Sequence, residues 1–541
     1  MNYKDITMNV KQKSTRLASV FLVLFTAFSL LMSGIASAEQ ILRIGNMGEP
    51  ASLDPHHIDG VWESRIVSEL FLGLTTQAED GSIIPGAAKS WKISDKGTVY
   101  TFTLRDSKWS DGKPVRAQDF EYAMKRILNP KTAAAYASLL YVIKNAREVN
   151  SGQLPVDQLG VKALNDKTLR ITLTGPKPYF LALLTHYTTF PLREDVIEKL
   201  GHDWAKDSRM VSNGPYKLAQ WIPNAQIELV KNNDFYNAKN VAIDKVYFYP
   251  QEDRSAMLKR FRAGEVDIVT DFSSSDLTWI KQHLARDVHI APYLGVYYYP
   301  MNMQKNKALK DIRVRKALSM VINRQVITDK VLKSGEIPAY SFVPPNTGTY
   351  GQPSYVPWKN LSQGQRIKKA QQLMVEAGYD RSHPLKLTLS YNTSENHKKV
   401  AIAVAAMWKS ALNVQTELMN TEVKVHYANL KKRNYDVARA GWVGDYNDPQ
   451  NFLFLLESKN IKNYAGFNDP QYDQLMQKAS VEFDMHKRDM LLHKAEQIAM
   501  NKMPVIPIFY YISKNLVSPK VQGWKDNVMD VHRIQYMSIK K

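Results

Sequence analysis

The run from Tyr435 to Pro449 contains the side chain best suited to binding a charged ligand, Asp445. The run reads YDVARAGWVGDYNDP. It opens with a strand-like alternation, passes two glycines and ends in an Asn-Asp-Pro stop, so Asp445 is predicted to lie on a loop at a strand end, between Trp442 and Tyr446. A carboxylate between aromatic walls suits an ammonium group, because cation–π attraction adds to the charge pairing. The same pattern also fits an aspartate that only caps the turn before the proline.

The elements that must position this loop alternate in type along the chain. Strand-like runs are predicted at 42–44, 98–104, 168–173, 227–230 and 385–389. One helix is predicted to begin after Ser362 as N-cap and to stop at Gly378, and a second to begin at Ser394 and run through Trp408. Strands separated by helices predict a mixed α/β fold.

The sequence contains none of the common catalytic motifs that would support an enzyme activity. Gly81 and Gly86 have the spacing of a phosphate loop, but Ala87 follows where that motif needs lysine. There is no His-Glu-x-x-His, Gly-x-Ser-x-Gly or Gly-x-Gly-x-x-Gly motif, and the adjacent pair His56-His57 is typical of a polar loop. We therefore expect no enzyme activity, no cofactor and no metal, although two carboxylates meeting in the fold would leave acid–base chemistry open.

Several other long runs occur in a fixed order through the chain. They are SLDPHHIDGVWES (52–64), FTLRDSKWSDGKPVRAQDF (102–120), SNGPYKL (212–218), DIRVRKAL (311–318) and YNTSENHKKVAIA (391–403). Together with the Asp445 run, they make the chain resemble the periplasmic oligopeptide-binding proteins of bacterial ABC importers, within the peptide/nickel-type solute-binding family. The resemblance implies an α/β, two-lobed periplasmic binding protein fold (type II, cluster C) with an extra domain inserted in the first lobe.

The same resemblance implies a division of the chain. A signal peptide would occupy 1–38; the first lobe 39–71, 196–294 and 513–541; the extra domain 72–195; and the second lobe 295–512. Tyr297–Tyr299 would lie where the chain crosses between the lobes.

The resemblance also implies which residues contact a peptide. They are Asp445, Trp442, Arg439, His397, Tyr136, Tyr298, Asp59, Val61 and Gly444. Asp445 would take the peptide ammonium, Trp442 would line a side-chain pocket, and Asp59 to Val61 would offer a strand-like strip for β-like pairing. The tyrosines would otherwise be ordinary core or rim residues.

Arg439 and His397 would serve as cations for the peptide carboxylate. His397 lies three residues after Ser394, in a helical first turn whose free N–H groups favour an anion. Arg439 lies two residues after Val437, so the two would share a strand face unless the strand ends between them. A buried structural ion pair is therefore the alternative for Arg439.

The chain differs from the family's best-known members at positions that bear on which ligand it binds. Gly295 and Val443 stand where those proteins carry a cysteine pair, which resembles the murein-peptide-binding branch. Val423, Leu430 and Pro300 also replace residues of the oligopeptide binders, and Leu430 removes a charged pocket residue that the murein-peptide branch shares.

The first 38 residues have the three parts of a secretory signal. Lys11, Lys13 and Arg16 precede an apolar run from about Val20 to Met32, and an Ala-x-Ala site ends at Ala38. The chain has no cysteine, so we expect neither a disulfide nor a lipid anchor. These features predict export to the periplasm after cleavage of the signal peptide.

The formal net charge of +20 could indicate nucleic acid, but the basic residues are dispersed and no nucleic-acid motif is present. We therefore expect a monomeric periplasmic receptor that captures short peptides and delivers them to an inner-membrane ABC permease with separate ATPase subunits, without nucleic acid. The alternatives are the same fold binding murein peptides, haem or a bile-salt-like amphiphile, and, from another class, an exported hydrolase.

Overall fold

The computed structural model describes residues 39–540, with the exception of 59, 207 and 208. The predicted signal peptide, 1–38, lies outside the described residues. None of the helices in the described ranges combines the length and the apolarity that a bilayer-spanning segment requires.

The strands, in chain order, are β1 Ile41–Asn46, β2 Thr75–Gln77, β3 Ile83–Pro85, β4 Ala88–Ser94, β5 Val99–Leu104, β6 Val161–Asn165, β7 Thr168–Thr172, β8 Tyr216–Ile222, β9 Gln226–Lys231, β10 Lys245–Pro250, β11 Ile268–Val269, β12 Val288–Pro300, β13 Ile337–Pro338, β14 Lys386–Asn392, β15 Gln415–Thr421, β16 Val437–Ala438, β17 Ala440–Val443, β18 Val505–Val517, β19 Val521–Gln522 and β20 Ser538–Ile539. The α-helices are Val61–Leu70, Ala117–Leu128, Ala146–Asn150, Phe180–Leu183, Glu194–Leu200, Arg254–Arg262, Leu277–His283, Lys307–Lys310, Ile312–Met320, Arg324–Val326, Gln363–Glu376, Glu395–Leu412, Val423–Lys432, Gln450–Leu453, Pro470–Ala479 and Met485–Lys502.

The largest sheet has the strand order β17-β12-β18-β11-β1-β10-β9-β8, with β13 added to β18. β1 pairs in parallel with β10 and β11, while the other neighbours in this sheet are antiparallel. Two long strands, β12 and β18, run through its middle and pair with each other along most of their length. Their outer neighbour β17 ends two residues before Asp445, so this sheet positions the candidate loop.

Two smaller sheets are formed by segments inserted between strands of this sheet, the first between β1 and β8 and the second between β13 and β17. β4, β5, β7 and β6 form an antiparallel sheet, and β15, β14 and β16 form a parallel one. Parallel neighbours need a crossover connection, and the helix Glu395–Leu412 provides it between β14 and β15. All five strand-like runs found in the sequence are strands, so the predicted mixed α/β class is confirmed.

The two helices predicted from the sequence differ in how they are capped. The Ser362 hydroxyl accepts a hydrogen bond from the backbone N–H of Gln365, whose side chain accepts from the Ser362 N–H in return. Gly378 follows the helix with a φ of +87°, which favours glycine. Ser394 holds the N-cap position of the helix Glu395–Leu412, but its side chain makes no capping hydrogen bond.

The buried apolar residues divide along the chain. One cluster draws mainly on residues between Leu42 and Ile268, and another on residues between Leu294 and Tyr510. β12 and β18 contribute to more than one cluster, because Val288 and Leu516 belong to a third, smaller core. The domain boundaries named above stay a prediction.

Candidate functional site

Asp445 lies just beyond the end of β17, at the edge of the largest sheet. Gly444 donates a backbone hydrogen bond of 2.8 Å to the carbonyl of Leu294. A Cβ on Gly444 would come within 2.7 Å of Leu294 Cδ2, so a side chain here would force Leu294 or the loop to move. Asn451 Oδ1 then accepts from the Asp445 N–H at 3.2 Å and from Trp442 Nε1 at 2.9 Å, which fixes the loop and the indole together.

The carboxylate of Asp445 is half-buried. Burial raises its pKa to about 6, and the ammonium of Lys462 opposes that shift. No donor among the described residues hydrogen bonds to this carboxylate. A half-buried acid without a partner favours a cation that comes from outside the chain, because an unpaired buried charge is costly.

One aromatic wall beside Asp445 is the indole of Trp442. It is half-buried, packs edge-on against Phe454 with ring centroids 5.8 Å apart, and carries Lys462 Nζ at 4.1 Å from its ring centroid. Tyr446, expected as the second wall, is buried and stacks on Tyr179 at 5.3 Å.

Arg439 is the second buried charge of this segment. β16 ends at Ala438, so the strand ends between Val437 and Arg439, the condition under which the two residues need not share a face. Its guanidinium donates to Tyr511 Oη at 2.9 Å, to Tyr427 Oη at 3.3 Å and to Asn392 Oδ1 at 3.4 Å.

Every one of these acceptors is neutral, and no carboxylate of the described residues pairs with Arg439. Its Nε is buried without a partner. Burial by itself would lower the pKa of Arg439, but the oxygens of Tyr511, Tyr297 and Tyr427 raise it above its ordinary value. The structural ion pair considered above is therefore absent from the described residues, and the guanidinium stays charged.

His397 lies close to this guanidinium. Its ring is half-buried in the first turn of its helix, 5.5 Å from the ring of Tyr297, and Nδ1 is buried without a hydrogen-bond partner. Burial lowers the pKa of His397 to about 3, and Arg439 and His426 add to that shift. The imidazole is therefore neutral until an anion arrives to pair with its charged form.

The N-terminal segment contributes Val61 to the same region. Val61 is 45% exposed and, with Tyr293, Val443 and Tyr511, lines a cavity of about 360 Å³. Tyr293 lies near Asp445 as well: burial raises the pKa of Tyr293, the carboxylates of Asp530 and Asp445 add to that shift, and Arg65 opposes it. The cavity therefore adjoins the Asp445 loop.

The strand-like strip predicted from Asp59 to Val61 is only partly found. Asp59 lies outside the described residues. Gly60 is extended, but Val61 is already the first residue of the helix Val61–Leu70 and pairs with no strand, because the Glu63 side chain accepts from the Gly60 N–H and caps that helix. Val61 is therefore not part of a strand, and the β-like pairing of this strip with a peptide stays a prediction.

The two predicted tyrosines lie in different surroundings. Tyr136 is half-buried against His186 and Tyr187, and Tyr187 donates to the carbonyl of Ile58, next to the Val61 segment. Tyr298 is buried on β12, edge-on to Phe342 at 5.0 Å. The ring of Tyr298 is thus part of the core, whereas Tyr136 borders the segment before Val61. Their peptide contacts stay a prediction.

The site includes residues that the sequence did not indicate. Tyr511, Tyr427 and Asn392 hold Arg439, and Lys462 lies over Trp442. Nothing in their local sequence marks them, because each reaches the site through long-range packing. In the described ranges, no group of three His, Cys, Asp or Glu residues could hold a metal ion.

Comparisons with known proteins identify the family. The profile described as bacterial extracellular solute-binding proteins, family 5 Middle, matches residues 82–464. The chain belongs to family 5 of the bacterial extracellular solute-binding proteins. The resemblance seen in the sequence is thereby confirmed.

Individual relatives agree with this assignment over nearly the whole chain. The chain is 41% identical over 482 residues to the periplasmic murein peptide-binding protein MppA of Escherichia coli (strain K12), an alignment that covers 88% of this chain and 89% of that protein. It is 38% identical over 527 residues to the periplasmic oligopeptide-binding protein OppA of the same organism, with coverages of 95% and 96%.

A solved structure confirms the fold class. The unliganded open form of the periplasmic murein tripeptide binding protein MppA matches with a TM-score of 0.82 at 40% identity, covering 93% of this chain and 98% of that chain. The two-lobed α/β architecture of a family 5 solute-binding protein is therefore the fold of this chain.

Proposed function

We propose that this family 5 protein is a receptor that binds short peptides between its lobes and hands them to an ABC permease. One observation carries the proposal: among the described residues, the Asp445 carboxylate has no hydrogen-bond donor and the Arg439 guanidinium has no acidic partner, and these two residues flank the same strand, β17. An extended peptide with free termini presents the complementary charges, an ammonium at one end and a carboxylate at the other.

The spacing of the two charges suits a short peptide. Asp445 lies six residues after Arg439, and at about 3.3 Å per residue this separation is at most roughly 20 Å. An extended ligand of a few residues has the same length. Asp445 would bind the ammonium beside Trp442, whereas Arg439 and His397 would bind carboxylates that reach the other end.

The proposal also covers the location, oligomeric state and partner of the receptor. Relatives named as periplasmic support a periplasmic location, with residues 1–38 acting as a cleaved signal peptide and no lipid anchor. The protein would act there as a monomer, without a cofactor or catalytic step of its own. The partner would be an inner-membrane permease with separate ATPase subunits.

Murein peptides are the second candidate cargo. The similarity to MppA favours them, and so do Gly295 and Val443, which pair directly across β12 and β17. A Cβ on Gly295 would meet Tyr511 Cδ2 at 2.7 Å, so this side of the cavity requires glycine. However, Leu430 is buried in the second core, where it offers no charge.

Incubation with a peptide mixture distinguishes peptide binding from hydrolysis and from binding of a non-peptide ligand. The purified protein would be incubated with free-amine peptides of two to six residues and with murein peptides, and the bound and unbound fractions analysed by mass spectrometry. A peptide receptor retains intact peptides of one class. Cleaved peptides would indicate a hydrolase, and a bound fraction without any peptide would reject the proposal.

A further inference from the structure

The amino-terminal subsite contains a second charge, the ammonium of Lys462. Its Nζ lies 4.1 Å from the ring centroid of Trp442. Lys462 donates its backbone N–H to Asn460 Oδ1 at 2.8 Å, and the next residue, Asn463, is held by its side chain to the carbonyls of Glu457 and Phe467. A segment with fixed backbone therefore holds Lys462 over the indole.

The ammonium of Lys462 has no acceptor of its own among the described residues. It is half-buried, and burial lowers the pKa of Lys462, an effect that Asp445 opposes and Lys431 reinforces. Asp445 and Lys462 interact through space but do not form a direct ion pair. The indole of Trp442 thus has a carboxylate and an ammonium nearby, both with unused hydrogen-bonding capacity.

A ligand complementary to this pair must carry both charges close together. A peptide ammonium on Asp445 leaves Lys462 facing the first side chains of the ligand. A carboxylate there would gain a charge-assisted hydrogen bond. A lysine or arginine side chain there would meet like charge in a partly desolvated pocket, which is unfavourable.

We propose that Lys462 is a specificity-determining residue that accepts a ligand carboxylate beside the amino-terminal subsite. It selects peptides with an acidic residue at the first or second position and rejects peptides with a basic residue there. The inference rests on the proposed peptide-binding function and narrows its substrate class.

Calorimetry with matched peptides tests this role. The probes are free-amine alanine peptides of three, four and five residues in which the first or the second residue is Glu, Gln or Lys. The wild-type protein is expected to bind the Glu peptides about tenfold to a hundredfold more tightly than their Gln counterparts, the range of one charge-assisted hydrogen bond. In Lys462→Met the Glu-to-Gln affinity ratio should fall to about one, and Lys462→Glu should favour the Lys peptides.

A matched control comes from the same segment. Lys459 is exposed three residues earlier, so Lys459→Met removes the same formal charge outside the pocket and should leave the preference intact. An equal Glu-to-Gln ratio in wild type and Lys462→Met would overturn the inference, and so would an equal loss in both variants. Tighter binding of every peptide by Lys462→Met would also overturn it, because Lys462 would then compete with the peptide ammonium for Asp445. Failure of the wild type to bind any probe would reject the proposed function itself.

Discussion

The guanidinium of Arg439 donates a hydrogen bond of 2.9 Å to the hydroxyl of Tyr511, a neutral acceptor on β18. This contact joins the segment that leads into the Asp445 loop to one of the two long strands of the largest sheet. A cation that is held but not neutralised is suited to an incoming carboxylate, because its positive charge remains uncompensated.

Replacing Arg439 or His397 should therefore weaken binding in a length-dependent way. Arg439→Ala and His397→Ala are each expected to cost about 1.5–3 kcal/mol for the peptides whose carboxylate they reach. The two variants should affect different peptide lengths. Calorimetry over a series of lengths, with thermal unfolding as a control, measures this. Equal losses for all lengths in a destabilised Arg439→Ala protein would point to a structural role.

The raised pKa of Asp445 predicts a pH dependence of binding. The acid must be ionised to pair with an ammonium, so affinity should be full above its pKa of about 6 and fall as the pH drops through that value. Lys462, Tyr293 and Tyr446 interact with this group; burial lowers the pKa of Lys462 and raises the pKa of both tyrosines. At the alkaline end affinity should fall again above about pH 8, where the peptide α-amino group loses its proton.

Titrations of one peptide between pH 5 and 9 check this prediction. The N-acetylated form of the same peptide serves as the control, because it lacks the titrating amine. An affinity that stays constant from pH 5 to 7 would contradict a pKa of about 6 for Asp445 in the free protein.

A side chain at Gly444 should destabilise the protein. Gly444→Ala places Cβ 2.7 Å from Cδ2 of the buried Leu294, so Leu294 or the loop must shift, and we expect a loss of about 1–3 kcal/mol in the free energy of unfolding together with weaker peptide binding. Gly364→Ala is the matched control, because its Cβ would meet nothing within 4 Å on an exposed part of a helix and should be neutral or stabilising. Denaturant unfolding of both variants measures the difference, and equal stabilities would reject the steric argument.

The stack of Tyr179 on Tyr446 should contribute to closure around the ligand. The rings are parallel at 5.3 Å and both are buried, and Tyr446 directly follows Asp445. Tyr179→Ala should therefore enlarge the ligand-free protein and weaken peptide binding, although Tyr179 is not among the proposed peptide contacts. Small-angle scattering with and without peptide measures the radius of gyration. The exposed Tyr236 provides a control variant, and an unchanged radius in Tyr179→Ala would exclude a role in closure.

Local signals in the sequence identified much of this fold. Ser362 and Gly378 bound a helix because capping depends on neighbours a few residues away, and Asp445 follows a strand because glycines and a proline punctuate its run. Residues that act across long separations were not predictable in this way. Tyr511 is 72 positions from Arg439, and Lys462 reaches Trp442 only after an intervening helix.

Two local features depend on where a strand ends or a helix begins. β16 ends at Ala438, the exception that the alternation left open for Arg439, and its guanidinium donates to Tyr511. Val61 begins a helix, because the Glu63 side chain accepts from the Gly60 N–H, and the β-like pairing of this strip with a peptide stays a prediction.

In the proposed function, the Asp445 carboxylate binds the terminal ammonium of a peptide. The most direct test is calorimetry of one peptide, free and N-acetylated, against the wild type and Asp445→Asn. Either change alone is expected to weaken binding by about 3–5 kcal/mol, or roughly two to four decades in affinity. The two changes together should cost little more than one. Equal affinities of the wild type and Asp445→Asn for the free-amine peptide would contradict this role of Asp445.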